Sequence, residues 1–223
     1  MKKVILLILF YVSFSAMAQE LVIQKKINFL ALGDSYTIGE SVLPEERWPV
    51  QFGAALKTRG VVCENIQIIA TTGWRTDDLK KAIDAAHLSP EYNLVSLLIG
   101  VNNYYQGKSA SSYAPEFEEL LKTAIALAGG HTEHVFVVSV PDYGYTPFGK
   151  EKQPEISQGI NNFNEVNERI SQKLNVKYIP ITDISRRGFE EPELIAADGL
   201  HPSGKMYAKW VIRIMQAAKI NAH

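Results

Sequence analysis

Four short stretches carry residue types that together could perform acyl transfer: Gly33-Asp34-Ser35, Thr72-Gly73-Trp74-Arg75-Thr76, Gly100-Val101-Asn102-Asn103 and Asp198-Gly199-Leu200-His201. That chemistry needs a hydroxyl nucleophile, donors for the charge that develops on the carbonyl oxygen, and a base oriented by a carboxylate. Ser35 supplies the hydroxyl, and its own N–H, with those of Gly73 and the side-chain amide of Asn102, supplies three oxyanion donors. Asp198 and His201 are three apart, close enough in a tight turn for the carboxylate to accept from Nδ1 while Nε2 faces the serine. Pro202 biases His201 away from helical geometry and keeps it on a loop. Asp34 is expected to brace its loop, since an ionised carboxylate beside a developing oxyanion would raise the barrier.

With these residues in this order the chain resembles the SGNH hydrolases, the GDSL-type esterase and lipase family, whose name lists the Ser, Gly, Asn and His of the four stretches. The resemblance runs from Ile27 to about Trp210. It implies Ser35, Asp198 and His201 as the catalytic residues, Ser35, Gly73 and Asn102 as the oxyanion hole, and a three-layer α/β/α sandwich of flavodoxin-like type. One position departs from the family pattern: Asn103 stands where the family usually has aspartate, which bears on local bracing and not on the donor. A nucleophile elbow is excluded, because G-x-S-x-G requires glycine two residues after the serine and here that residue is Thr37.

The elements that must position these residues can be read from apolar runs. Strands are expected near Asn28 to Leu32, Asn65 to Ala70, Leu94 to Ile99, Val135 to Val140 and Lys177 to Ile181, several of them continuously apolar, as suits strands covered on both faces. Helices are expected over Trp48 to Leu56, from a cap at Thr76 followed by Asp77 and Asp78, over Tyr113 to Ala128, over Ile156 to Leu174 and from Ser203 to about Ala218. Strands alternating with helices imply a central, mostly parallel five-stranded sheet with helices on both faces. Ligands then bind beyond the carboxyl ends of the strands, where Ser35, Gly73 and Asn102 fall.

Residues 1–18 combine Lys2 and Lys3, an apolar run from Val4 to Val12 and Ala16-Met17-Ala18, the pattern of a secretory signal peptide cleaved before Gln19. Residues 19–223 are then expected to form one domain, exported to the periplasm or beyond, with no transmembrane segment once the signal is removed. The 223 residues carry 23 basic and 24 acidic side chains without a basic cluster, which argues against nucleic acid as a partner. The single cysteine, Cys63, excludes an intramolecular disulfide. His131-Thr132-Glu133-His134 lacks a third ligand nearby and reads as solvated loop, so no metal and no cofactor is expected.

The expected substrate is a small-molecule, glycan or lipid ester, with short acyl chains favoured because no long lid insertion is visible. Trp74, Tyr104, Tyr105 and Tyr143, with Tyr145 and Phe148, could pack an acyl chain, an aryl group or a sugar face, and Arg75 could hold an anionic group. Beside a general ester hydrolase stand a carbohydrate O-acetylesterase, a lysophospholipase and a catalytically silent glycan-binding module. The sequence specifies no oligomeric state.

Overall fold

A computed structural model describes residues 19–221; the proposed signal peptide lies outside the described residues. In chain order the strands are β1 (Leu21–Ile23), β2 (Lys26–Gly33), β3 (Val62–Ala70), β4 (Leu94–Leu98), β5 (Val135–Val138), β6 (Lys177–Ile179) and β7 (Ala218–Ile220). The helices are α1 (Ser35–Ile38), α2 (Trp48–Thr58), α3 (Thr76–Ala85), α4 (Val101–Tyr105), α5 (Ala110–Leu127), α6 (Gln153–Lys173), α7 (Thr182–Ser185) and α8 (Gly204–Ala217).

Five strands form one parallel sheet in the order β3-β2-β4-β5-β6. Its residues alternate between two apolar cores. Phe29, Ala31, Leu98, Phe136 and Val138 face α2 and α8, meeting Trp48, Phe52, Tyr207 and Trp210. Leu30, Leu32, Val95, Leu97 and Val137 face α3, α5 and α6, meeting Leu79, Phe117, Leu121 and Phe163. Burial on both faces explains why these strands read as continuous apolar runs and why helices must cover each side. The chain leaves β2 for β3 on one side and returns to add β4 on the other, so the loops after β2 and β4 diverge and leave a crevice at their carboxyl ends. Gly33 is level with both Ala70 and Leu98, which brings the ends of three strands to one line.

Several boundaries correct the sequence reading. Helix α6 begins at Gln153 and not Ile156, because Pro154 is accommodated in a first helical turn. Helix α5 begins at Ala110, capped by the Ser109 hydroxyl, which accepts from Ser112 N–H. Thr76 is the first helical residue of α3 rather than its cap; Arg75 takes the cap position and donates its N–H to Asp78 at 3.1 Å. Strands β1 and β7, absent from the sequence reading, pair in parallel and tie the two ends of the described chain together. His134 is buried rather than solvated, its Nε2 accepting from Gln24 Nε2 at 3.1 Å, and burial lowers its pKa.

At the end of β2, Asp34 caps α1, Oδ1 accepting from Tyr36 N–H at 3.1 Å. The carboxyl is fully buried and its Oδ2 has no hydrogen-bond partner among the described residues. Burial pushes its pKa up to about 7, against two backbone hydrogen bonds that lower it. The brace expected from the sequence is thus a carboxyl that neutral protonation suits. Between its ordinary value of 3.8 and about 7 the unfolded chain ionises here while the folded chain holds the proton, so this group makes stability fall as pH rises through that window. Asp34→Asn, which keeps the cap acceptor, should remove that contribution. Urea unfolding at pH 4.5 and 7.5 should show the variant losing less stability than wild type by on the order of 1 to 3 kcal/mol. Identical pH dependence in the two proteins would contradict a buried, proton-holding Asp34.

Candidate active site

The Asp198–His201 turn is built by the carboxylate itself. Oδ1 of Asp198 accepts the N–H groups of Leu200 at 2.9 Å and His201 at 3.0 Å, a side chain closing its own turn. Oδ2 lies 2.6 Å from Nδ1 of His201 and accepts the Ser41 hydroxyl, also at 2.6 Å. Burial disfavours the ionised carboxylate, but the hydrogen bonds from Ser41, the His201 ring and the two backbone N–H groups outweigh it and hold the pKa well below the ordinary carboxylate range. An ionised carboxylate can only accept, so Nδ1 carries the proton and Nε2 keeps its lone pair. His201 is buried and its ring packs edge-on with that of Tyr36, ring centroids 5.7 Å apart.

Ser35 is the first residue of α1, directly beyond β2, so its N–H has no acceptor within the helix. Its hydroxyl is not hydrogen-bonded to His201 among the described residues; contacts of this kind commonly tighten only once substrate is bound. Both residues line one cavity of about 300 Å³, together with Gly73 and Asn102. Gly73 has φ +85°, a conformation that glycine adopts at little cost, and a Cβ there would meet no atom within 4 Å. The backbone conformation, and not lack of space, therefore selects glycine. The turn is held from two sides: Thr72 donates its hydroxyl to Glu40, and Gly73 accepts from Gln106 Nε2 at 3.3 Å.

Asn102 sits in α4, a five-residue helix too short and too polar to be read from periodicity. Gly100 takes the cap position before it at φ +130°, and a Cβ there would come 2.7 Å from the Tyr113 hydroxyl. One amide N–H of Asn102 is used on the Trp74 carbonyl at 3.0 Å, which locks α4 to the Gly73 turn and leaves the second N–H for the cavity. Next to it Asn103 is fully buried. Its Oδ1 accepts from Thr76 N–H at 3.2 Å and its Nδ2 donates to the Thr76 hydroxyl at 2.6 Å, while that hydroxyl donates to Glu116. Glu116 is in turn paired with Lys108 at 2.7 Å. The bracing that the absent aspartate left in question is therefore made by an amide. With Glu116 already supplying the carboxylate, a second one at position 103 would bring like charges together.

Of the expected substrate contacts, Tyr105 and Tyr143 line the cavity, with Val101, Phe148 and Leu200. Trp74, Arg75 and Tyr104 do not. Trp74 packs against the core under α3 and α5. Arg75 is engaged by Asp77, Nε to Oδ1 at 3.0 Å and Nη2 to Oδ2 at 2.8 Å, and by Gln106, so its guanidinium braces the loop rather than awaiting an anion. Tyr104 packs on Phe163 and donates its hydroxyl to the Glu155 carbonyl at 3.1 Å. Tyr145 packs on Phe189. Ser41 and Asp142 are among the participants that escaped the sequence reading. Ser41 has no motif, and its only signature is a positive φ of 64° in a non-glycine residue. Asp142, buried, fixes the Tyr143 loop by accepting from Gly144 N–H, Ser157 Oγ and Arg186 Nε. Among the described residues no group of three or more His, Cys, Asp and Glu side chains is arranged to hold a metal ion, and no helix is long and apolar enough to cross a membrane.

A family model described as GDSL-like Lipase/Acylhydrolase family matches residues 31–209. No curated protein matches the sequence. Among solved structures, the phospholipase A1 from Streptomyces albidoflavus superposes with a TM-score of 0.68 at 16% identity, covering 86% of this chain and 99% of that one. The psychrotrophic esterase EstA from Pseudoalteromonas gives 0.65 at 17%, covering 86% and 96%. Axe2, an acetylxylan esterase from Geobacillus stearothermophilus, gives 0.67 at 15%, covering 88% and 97%. At these identities the likeness is one of fold.

The strained Ser41 is informative because its backbone conformation suits glycine while its hydroxyl serves Asp198. Ser41→Gly should lower kcat/KM for p-nitrophenyl acetate about 3- to 30-fold through loss of one hydrogen bond to a charged group, with stability within about 1 kcal/mol of wild type. Full activity in this variant would show that Asp198 needs no support from Ser41.

Proposed function

The chain belongs to the GDSL-like lipase/acylhydrolase family, and from that premise we propose that it hydrolyses carboxylic esters of short acyl chains through a covalent acyl-enzyme. The observation that carries this reading is His201, held by Asp198 at 2.6 Å, in one cavity with Ser35, Gly73 and Asn102. Ser35 Oγ attacks the ester carbonyl as His201 Nε2 takes its proton, and Asp198 holds the imidazole in the tautomer this requires. The oxyanion is met by the N–H groups of Ser35 and Gly73 and by the free amide N–H of Asn102. His201 then delivers the proton to the departing alkoxide and activates the water that releases the acid. No step requires a metal or a cofactor.

The apolar lining of Val101, Tyr105, Tyr143, Phe148 and Leu200, within about 300 Å³, supports a short acyl group. The same reading keeps residues 1–18 as an export signal, on the strength of Lys2 and Lys3, the apolar run and Ala16-Met17-Ala18.

Ser35→Ala should abolish measurable turnover of p-nitrophenyl acetate. Asn102→Ala should lower kcat by roughly 10²- to 10³-fold with little change in KM, because its free N–H faces charge present only after attack. Steady-state kinetics on both variants, with far-ultraviolet circular dichroism to check folding, test this. Wild-type turnover by folded Ser35→Ala would refute the nucleophile, and a change confined to KM would refute the oxyanion role of Asn102.

A further inference from the structure

A second cavity, of about 510 Å³, opens beside the catalytic one, between the end of α4 and the start of α6. Tyr105, Tyr143 and Phe148 line both, so a ligand seated at Ser35 has its continuation there. The character of the lining changes across these rings. Away from Ser35, Thr72, Asn102 and His201 the first cavity is walled by apolar and aromatic side chains and carries no acidic or lysine side chain, whereas the second adds Glu151, Lys152 and Glu155 to its aromatic surface. Tyr105 and Phe148 are 60% and 54% exposed, unusual for large aromatic side chains in mutual contact, with centroids 6.3 Å apart. Lys152 and Glu155 make no ion pair among the described residues, so an ammonium and a carboxylate both remain available to a ligand. The wall is firm: buried Asp142 pins the Tyr143 loop, and the Tyr104 hydroxyl is tied to the first turn of α6.

We propose that this second cavity is the subsite for the alcohol half of the ester, and that the alcohol is a polyhydroxylated one, a sugar unit. The inference rests on the ester-hydrolase reading and names its substrate class. An acyl tail would require a continuous apolar wall, which the charged side chains at positions 151, 152 and 155 interrupt. A sugar ring presents C–H groups on its faces and hydroxyls around its rim. The exposed rings of Tyr105 and Phe148 offer surface to the faces; Lys152 donates to hydroxyl oxygens and Glu155 accepts from hydroxyl hydrogens. The short acyl group then points into the smaller cavity, and the scissile carbonyl lies at the junction, beside Ser35.

The test compares wild type with the double variant Lys152→Gln/Glu155→Gln on partially acetylated xylo-oligosaccharide, p-nitrophenyl acetate and lysophosphatidylcholine. Both positions are exposed, so the variant should fold. The expected result is that wild type cleaves the sugar ester more efficiently than lysophosphatidylcholine. In the variant, KM for the sugar ester should rise about tenfold or more, and the ratio of kcat/KM for sugar ester over p-nitrophenyl acetate should fall by the same factor. The subsite is overturned, with the ester-hydrolase reading intact, if wild type cleaves p-nitrophenyl acetate but not the sugar ester. It is equally overturned if the ratio is unchanged in the variant, or if lysophosphatidylcholine is the better substrate. Wild type that cleaves none of the three overturns the ester-hydrolase reading itself.

Discussion

One carboxylate organises the site. Asp198 spends Oδ1 on two backbone N–H groups, which makes the turn, and Oδ2 on His201 and Ser41, which aims the imidazole. Both jobs require the charged form, and four donors stabilise that form against burial. The turn also anchors the cavity wall, since the Gly199 carbonyl accepts Phe148 N–H at 3.0 Å. A neutral side chain at this position would leave the turn short of a strong acceptor and let the imidazole take the other tautomer.

The remaining groups depend on the parallel sheet, which delivers three loops to one line. Rigidity there comes from polar ties between loops rather than from apolar packing: Asn102 to the Trp74 carbonyl, Thr72 to Glu40, and Asn103 through Thr76 to Glu116. These ties fix the spacing of the proposed oxyanion donors, and electrostatic stabilisation requires donors set in place before substrate arrives. Asp34, next to Ser35 in sequence and buried, has its pKa pushed up to about 7 by burial, which favours the uncharged carboxyl there.

The parts legible in the sequence were those whose physics is local. Strands such as Val135–Val138, buried on both faces, announce themselves as apolar runs, and Asp198 and His201 sit close enough that their turn could be inferred from spacing. The cavity wall was half legible: Tyr105 and Tyr143 line the catalytic cavity, but nothing local to Arg75 reveals that Asp77 engages its guanidinium, nor anything local to Tyr104 that it lines the neighbouring cavity instead. Ser41 was invisible because its partner is 157 residues away, and Glu116 because it meets Thr76 and Asn103 only once α3, α4 and α5 are packed together. Strands β1 and β7 went unread since three residues carry no period and pairing of distant segments has no local signal.

The central claim is that Asp198, through His201, activates Ser35. The most direct measurement is the rate and position of labelling by a p-nitrophenyl phosphonate, followed by intact mass and peptide mapping, in wild type and in Asp198→Asn. The account predicts one adduct per chain, on Ser35, forming at least about 10²-fold more slowly in the variant because the amide cannot enforce the required tautomer. An adduct on another residue, or equal labelling rates in the two proteins, would contradict it.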